Sequence, residues 1–261
     1  MKQPENSVGR STATPYKQEN LKTLIDVQLY KTCCIFNKHQ KHRWCNSTYY
    51  IFDMTAGDGD LKFETSPSIF LNALCSVPGL QFKAFFVEKN KKTYLELQKN
   101  INHYLHLFQE QEEKKYFQNN IYIIQGASEI KLKKFCNKKI GSWKYGVLYY
   151  DTNGFQQEPW NFMVDFAKKW NALDIILNFS PIQIKRNFGA FPQYTKKLPE
   201  LINVIEKKYI YIRDDIKTKE NKFKHIMLFC TNFGEYGNWK EANQFYDINS
   251  KEGKKIIKRH I

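Results

Sequence analysis

Tyr49-Tyr50-Ile51-Phe52-Asp53-Met54-Thr55-Ala56-Gly57-Asp58-Gly59-Asp60 passes from a bulky apolar run to two glycines one residue apart. Tyr50, Ile51 and Phe52 favour a strand, whereas Ala56, Gly57 and Gly59 remove side chains where a backbone must turn sharply or approach a ligand closely. The following Ser66-Pro67-Ser68-Ile69-Phe70-Leu71-Asn72-Ala73-Leu74 has a capping Ser, a Pro near the first turn and then apolar spacing, the marks of a helix start. Strand, glycine loop and helix form the front of a nucleotide-binding unit. A dinucleotide site wants G-x-G-x-x-G with a pyrophosphate on the helix N-terminus. Gly57-Asp58-Gly59-Asp60-Leu61-Lys62 has no third glycine, and Asp58 and Asp60 repel a pyrophosphate.

A cofactor without phosphates fits this loop better. S-adenosylmethionine offers a cationic amine, ribose hydroxyls and an adenine ring, for which carboxylates beside the loop are assets. The residues Asp53 to Gly59 resemble the first motif of the class I S-adenosylmethionine-dependent methyltransferases, an acid ending strand one and then the glycine loop. Phe85-Phe86-Val87-Glu88-Lys89-Asn90 resembles the second, where the acid accepts hydrogen bonds from the ribose. The resemblance implies that Asp53, Thr55, Ala56, Gly57, Asp58, Gly59, Glu88 and Lys89 hold the cofactor. It also implies a Rossmann-like, doubly wound α/β sheet of seven mostly parallel strands in a single domain.

Composition sets the outer bounds. A chain of 261 residues is long enough for one well-buried α/β domain. We expect a flexible arm over residues 1–16, a methyltransferase-like domain over 17–245 and a basic tail over 246–261. Lys and Arg number 41 against 26 Asp and Glu, a net charge of +15 spread along the chain. That balance favours nucleic acid, DNA or RNA, as a partner, a generic basic surface being the plain alternative. The six cysteines show no C-x-x-C spacing, so no metal is expected. Met1 to Pro15 lacks the apolar run of a secretory signal, and Pro67 and Pro78 interrupt the longest charge-free window, so a cytoplasmic protein without a membrane span is expected.

Along the chain, Leu21, Leu24, Ile25, Leu29 and Cys33 recur at helical spacing over 17–36. Strand two is expected at 82–87, then one long helix from Tyr94 to Phe108 whose solvated end is the charged run Gln109 to Lys115. Strand three is Ile121 to Ile124. Many class I methyltransferases place an acid or amide after it for the adenine amino group. Here Gln125-Gly126-Ala127-Ser128 follows, leaving Gln125 or Ser128 as the polar candidate.

Strand four, Tyr145 to Tyr150, delivers Asp151-Thr152-Asn153-Gly154-Phe155. In doubly wound sheets ligands sit outside the carboxyl ends of the strands, where Asp53, Glu88, Gln125 and Asp151 converge. The segment resembles motif IV of amino-methyltransferases, D-P-P-Y or N-P-P-F, in its leading acid and nearby aromatic. It departs from that motif with Thr152 and Asn153 in place of the prolines. An adenine amine is a poor nucleophile because its lone pair is delocalised. Asp151 and the Asn153 amide oxygen are the candidate acceptors for its N–H groups, with Phe155 stacking on a flipped-out base. A simple turn is the competing reading.

After the helix at 158–170 and strand five, Leu173 to Phe179, a narrower resemblance enters. Tyr50 to Gly59, the Ser66-Pro67 helix start, Asp151-Thr152-Asn153-Gly154, and Asn178 with Arg186 look like the three-Cys-motif partner proteins. Asn178, Arg186, Tyr194 and Lys196 are the candidate substrate-binding residues, the last two as part of a basic and aromatic cleft. Residues 208–213 and 223–231 read as the antiparallel pair closing the sheet. The expectation is methyl transfer to an exocyclic base amine of the adenine N6 type, with either a protein partner supplying target recognition or a structured RNA as substrate. The alternatives are an inactive methyltransferase-fold subunit and a nicotinamide oxidoreductase.

Overall fold

The computed structural model describes residues 14–39, 45–60, 63–136, 143–152, 156–180, 193–214, 225–234, 240 and 243–260. Helix α1 (Thr14–His39) precedes β1 (Cys45–Asp53), and α2 (Ser66–Cys75) leads to β2 (Gln81–Glu88). Helices α3 (Lys91–His106) and α4 (Gln111–Asn120) precede β3 (Ile121–Gln125). Two short helices, α5 (Ser128–Lys131) and α6 (Lys133–Cys136), come before β4 (Trp143–Thr152), α7 (Gln157–Lys169) and β5 (Leu173–Phe179). The chain continues with α8 (Gln193–Asn203), β6 (Tyr209–Asp214), β7 (Ile226–Thr231), β8 (Tyr246–Asp247) and α9 (Lys251–His260).

The sheet has eight strands in the order β3-β2-β1-β4-β5-β7-β6-β8. The first five neighbours pair in parallel, and β7, β6 and β8 pair antiparallel. Strand β1 lies inside this sheet with both faces covered. Tyr49 and Ile51 pack with Leu21, Leu24, Phe70 and Leu97 on one side, and Tyr50 and Phe52 with Trp160, Phe166 and Leu198 on the other. That is why its apolar run is continuous rather than alternating.

Three expectations need correction. The sheet has eight strands, not seven, because Ile212 pairs with Tyr246 and Tyr211 with Asp247. The expected basic tail over 246–261 instead supplies β8 and α9, with Gly253 and Ile256 buried against the sheet edge and Lys254, Lys255 and Lys258 exposed. The charged run after Phe108 is not the solvated end of one long helix. Helix α3 stops at His106 and α4 begins at Gln111, which lets Phe108 and Phe117 meet with ring centroids 4.8 Å apart.

Helix α1 also buries polar groups. Gln28 Nε2 donates to Asp174 Oδ2 at 3.2 Å and to the Gly146 carbonyl at 3.3 Å, while Gln28 Oε1 accepts from the Tyr49 hydroxyl. Nearby, Lys207 Nζ donates to the carbonyls of Trp170 and Asn171, and burial lowers its ammonium pKa to about 8. These bonds satisfy polar groups at the end of the sheet away from the glycine loop.

Candidate active site

Parallel register sets the ends of β1, β2, β3 and β4 side by side. Asp53 pairs with Phe86 and Tyr149, Glu88 with Gln125, and Asp151 with Asn178. Asp53 is fully buried at the end of β1. Its Oδ1 accepts from Thr55 N at 3.0 Å and its Oδ2 from Ser66 Oγ at 2.7 Å. Burial raises its carboxyl pKa to about 7, aided by the Asp151 and Glu88 charges and opposed by those two hydrogen bonds. Ser66, expected as the helix cap, is instead the first helical residue after the N-cap Thr65, and its hydroxyl anchors the acid.

The glycine loop is clamped between its neighbours, with Met54 N on Tyr149 O at 2.9 Å and Ala56 N on Val87 O at 3.0 Å. Gly57 and Gly59 both take positive φ, 68° and 63°. Gly57 N donates to Glu88 Oε2 at 3.1 Å, joining the loop directly to the second acid. Asn90 N donates to Glu88 Oε1 at 2.6 Å. Each oxygen of that half-buried carboxylate keeps a lone pair for a ligand hydroxyl. A Cβ on Gly57 would meet nothing within 4 Å, whereas one on Gly59 would lie 2.6 Å from Leu97 Cδ1. The space at Gly57 is open, and that at Gly59 is filled by the protein. Asn100 Nδ2 donates to Asp58 O at 2.9 Å and holds the loop on α3.

The remaining cofactor candidates follow the same rim. Lys89 and Gln125 are exposed, Gly126 N donates to Glu88 O at 3.0 Å, and Ala127 precedes the buried Ser128 that opens α5. The structure therefore brings Asp53, Thr55, Ala56, Gly57, Asp58, Gly59, Glu88, Lys89, Gln125, Gly126, Ala127 and Ser128 to one end of the sheet.

The opposite wall is built on β4 and β5. Asp151 N donates to Thr55 Oγ1 at 3.0 Å, tying it to the loop. Tyr149 Oη donates to Asp151 Oδ2 at 3.3 Å, and Lys17 Nζ lies 3.4 Å from Asp151 Oδ1. Burial and the Asp151 and Asp53 charges push the Tyr149 hydroxyl well above its usual range. Asn178 is 1% exposed and stands beside the Tyr149 hydroxyl, whose rise in pKa it opposes by hydrogen bonding. Asn153, Phe155 and Arg186 lie outside the described residues. Tyr194 and Lys196 fall on α8, of which only the backbone is described there.

Lys17 and Tyr149 are members of this site that sequence reasoning did not single out. A signal for Lys17 exists: Lys17, Asn20, Gln28 and Thr32 share the buried face of α1 with Leu21, Leu24 and Ile25. A cation at 7% exposure on such a face requires a partner. Among the described residues, no group of three or more His, Cys, Asp or Glu is arranged to hold a metal. No helix among them is long and apolar enough to cross a membrane.

No protein-family model matches the sequence, and no curated protein matches it. Among solved structures, protein LPL1258 of Legionella pneumophila is similar at 12% identity and a TM-score of 0.54, covering 90% of each chain. Fibrillarin from Aeropyrum pernix, solved with natively bound S-adenosyl-L-methionine, is similar at 13% identity and a TM-score of 0.40 over 71% of this chain and 67% of that one. At these identities the likeness is one of fold. The run β3-β2-β1-β4-β5-β7-β6, with β7 reversed against five parallel neighbours, is the sheet of the class I methyltransferase fold.

Proposed function

We propose that this chain binds S-adenosylmethionine and transfers its methyl group to nucleic acid, with an exocyclic base amine of the adenine N6 type as acceptor. The observation that carries the cofactor assignment is the bond from Gly57 N to Glu88 beside open space at Gly57. A glycine loop and a ribose-competent carboxylate there border one groove, and the donor set suits the ligand. Asp53, Asp58 and Glu88 favour a cationic amine and sugar hydroxyls, and disfavour a pyrophosphate.

When bound, S-adenosylmethionine supplies a methyl group on a sulfonium, which the acceptor nitrogen displaces in line as the carbon–sulfur electron pair leaves on sulfur. The chain supplies position. Thr55 links the glycine loop to Asp151, which holds the two walls of the site together. Asp151 accepts a hydrogen bond from the acceptor N–H and takes its proton as the new bond forms. Tyr149 and Lys17 fix that carboxylate's direction. Asn178, buried on the neighbouring strand opposite Asp151, is a further hydrogen-bonding group for a substrate. Asn153, Phe155, Arg186, Tyr194 and Lys196 complete the proposed acceptor side.

Asp151→Ala tests this assignment. Transfer of labelled methyl to RNA or DNA is expected to fall at least about a hundredfold, within the range for a positioned acid–base group. Affinity for S-adenosylhomocysteine is expected to stay within a few-fold. Equal loss of both would move Asp151 into the cofactor site. One observation favours a second reading. The Lys17 ammonium already occupies an oxygen of Asp151, as suits a methyltransferase-fold subunit that binds nucleic acid or a partner protein without transferring methyl. Cofactor binding with no transfer to any nucleic acid, alone or with a partner, would favour that reading.

A further inference from the structure

A second recess lies on the sheet face shared with α7, along β3 and toward the amino-terminal ends of β2 and β4. It encloses about 580 Å³. Strand alternation places Lys83, Phe85 and Tyr122 on this face, and the described part of the β3–β4 crossover offers only two helices of four residues each. The floor is aromatic. Phe85 and Tyr122 stack with centroids 4.7 Å apart and planes 10° from parallel, and Phe135 closes on Phe85 at 4.6 Å. Tyr122 is 38% exposed, an edge-strand ring left partly open to solvent.

The rim is cationic. Lys83, Lys134 and Lys144 line the recess, and no Asp or Glu does among the described residues. Lys144 Nζ stands 5.3 Å from the Tyr50 ring centroid and 5.2 Å from that of Trp170, and Lys134 Nζ stands 5.2 Å from that of Phe135. Among the described lining residues no carboxylate stands beside Lys83 or Lys134. Flat rings beneath the ammonium groups of Lys83 and Lys134 match a ligand that alternates flat bases with phosphates. An acidic peptide offers the charge without the rings.

We propose that this groove binds single-stranded nucleic acid at a site separate from the glycine-loop end of the sheet. One base stacks on the open face of Tyr122 and flanking phosphates lie against Lys83 and Lys134. The proposal does not depend on methyl transfer or on the cofactor.

Fluorescence anisotropy of the full chain with a labelled oligouridylate of about 12 nucleotides, within the span such grooves take, tests it without cofactor present. Lys83→Glu with Lys134→Glu is expected to weaken binding at least about tenfold and to reduce the salt slope by about 1.4, the value for two single-strand phosphate contacts. Tyr122→Ala is expected to cost about tenfold through lost stacking. Wild-type affinity in both variants would overturn the proposal, as would absence of binding by the unaltered chain. Competition by polyglutamate as effective as unlabelled oligouridylate would also overturn it, by showing a surface that reads charge alone. Should the variants not fold, ultraviolet cross-linking of the unaltered chain to bromouridine RNA decides the matter. An adduct on Tyr122 is expected, and adducts confined to other peptides contradict the proposal.

Discussion

Gly57 and Gly59 share a left-handed backbone and differ in what surrounds them. An added methyl group strains either position by about 1–2 kcal/mol. At Gly59 it also runs into Leu97, while at Gly57 it projects into the open groove. Gly59→Ala is therefore expected to lower the thermal midpoint more than Gly57→Ala. Gly57→Ala is expected to weaken S-adenosylhomocysteine binding about tenfold or more while losing less stability, the clash being with ligand rather than protein. Thermal denaturation and calorimetry on both variants check the contrast. Asp53 gives a pH signature. Its folded pKa is about 7, against about 3.9 for an unfolded Asp. Between those values the folded chain keeps a proton that the unfolded chain has lost. Its contribution to stability is thus full below pH 4 and lost as pH rises through 7. Asp53→Asn is expected to flatten the fall in stability over that window, measured by urea unfolding at several pH values. Asp53, Glu88 and the glycines were legible in the sequence because local demands place them: strand ends and positive φ are written in adjacent residues. Lys17 reaches Asp151 across 134 positions, a contact that only the packing of α1 onto β4 reveals.

Elements were legible in proportion to their burial. Strand β1 announces itself because both its faces are covered, and α7 because Trp160, Met163, Val164 and Phe166 recur on one buried side. Helix α9 did not, because Lys and Arg dominate its sequence and its contact with the sheet rests on few positions. One of them is Gly253, where a Cβ would lie 2.1 Å from the Asp247 carbonyl oxygen. Gly253→Val is expected to push α9 off β6 and β8 at a cost of about 2 kcal/mol, the middle of the overpacking range. That corresponds to a drop of about 4–8 °C in Tm for a chain of this size. Unchanged melting would mean that α9 adds nothing to the fold. The two-residue β8 has no period to detect, and the split between α3 and α4 shows only in the ring contact it permits.

The whole molecule separates its tasks by the direction of its strands. Five parallel strands end on the same side, and that end gathers the carboxylates of Asp53, Glu88 and Asp151 around a glycine loop, in a chain whose net charge is +15. A local concentration of acid within a basic protein fits the proposed pairing of a cationic cofactor with a polyanionic substrate. The aromatic and lysine-rimmed groove lies on one sheet face, toward the amino-terminal ends of β2 and β4 and away from that end. The class of fold was readable from two acid-ended strands and their order. The eighth strand was not, since it depends on how a two-residue segment settles against a sheet edge. Calorimetric titration of the full chain with S-adenosylhomocysteine measures the cofactor assignment itself. Binding at one site is expected, lost in Glu88→Ala under conditions where that variant remains folded. Heat from a nicotinamide dinucleotide with none from S-adenosylhomocysteine would contradict it.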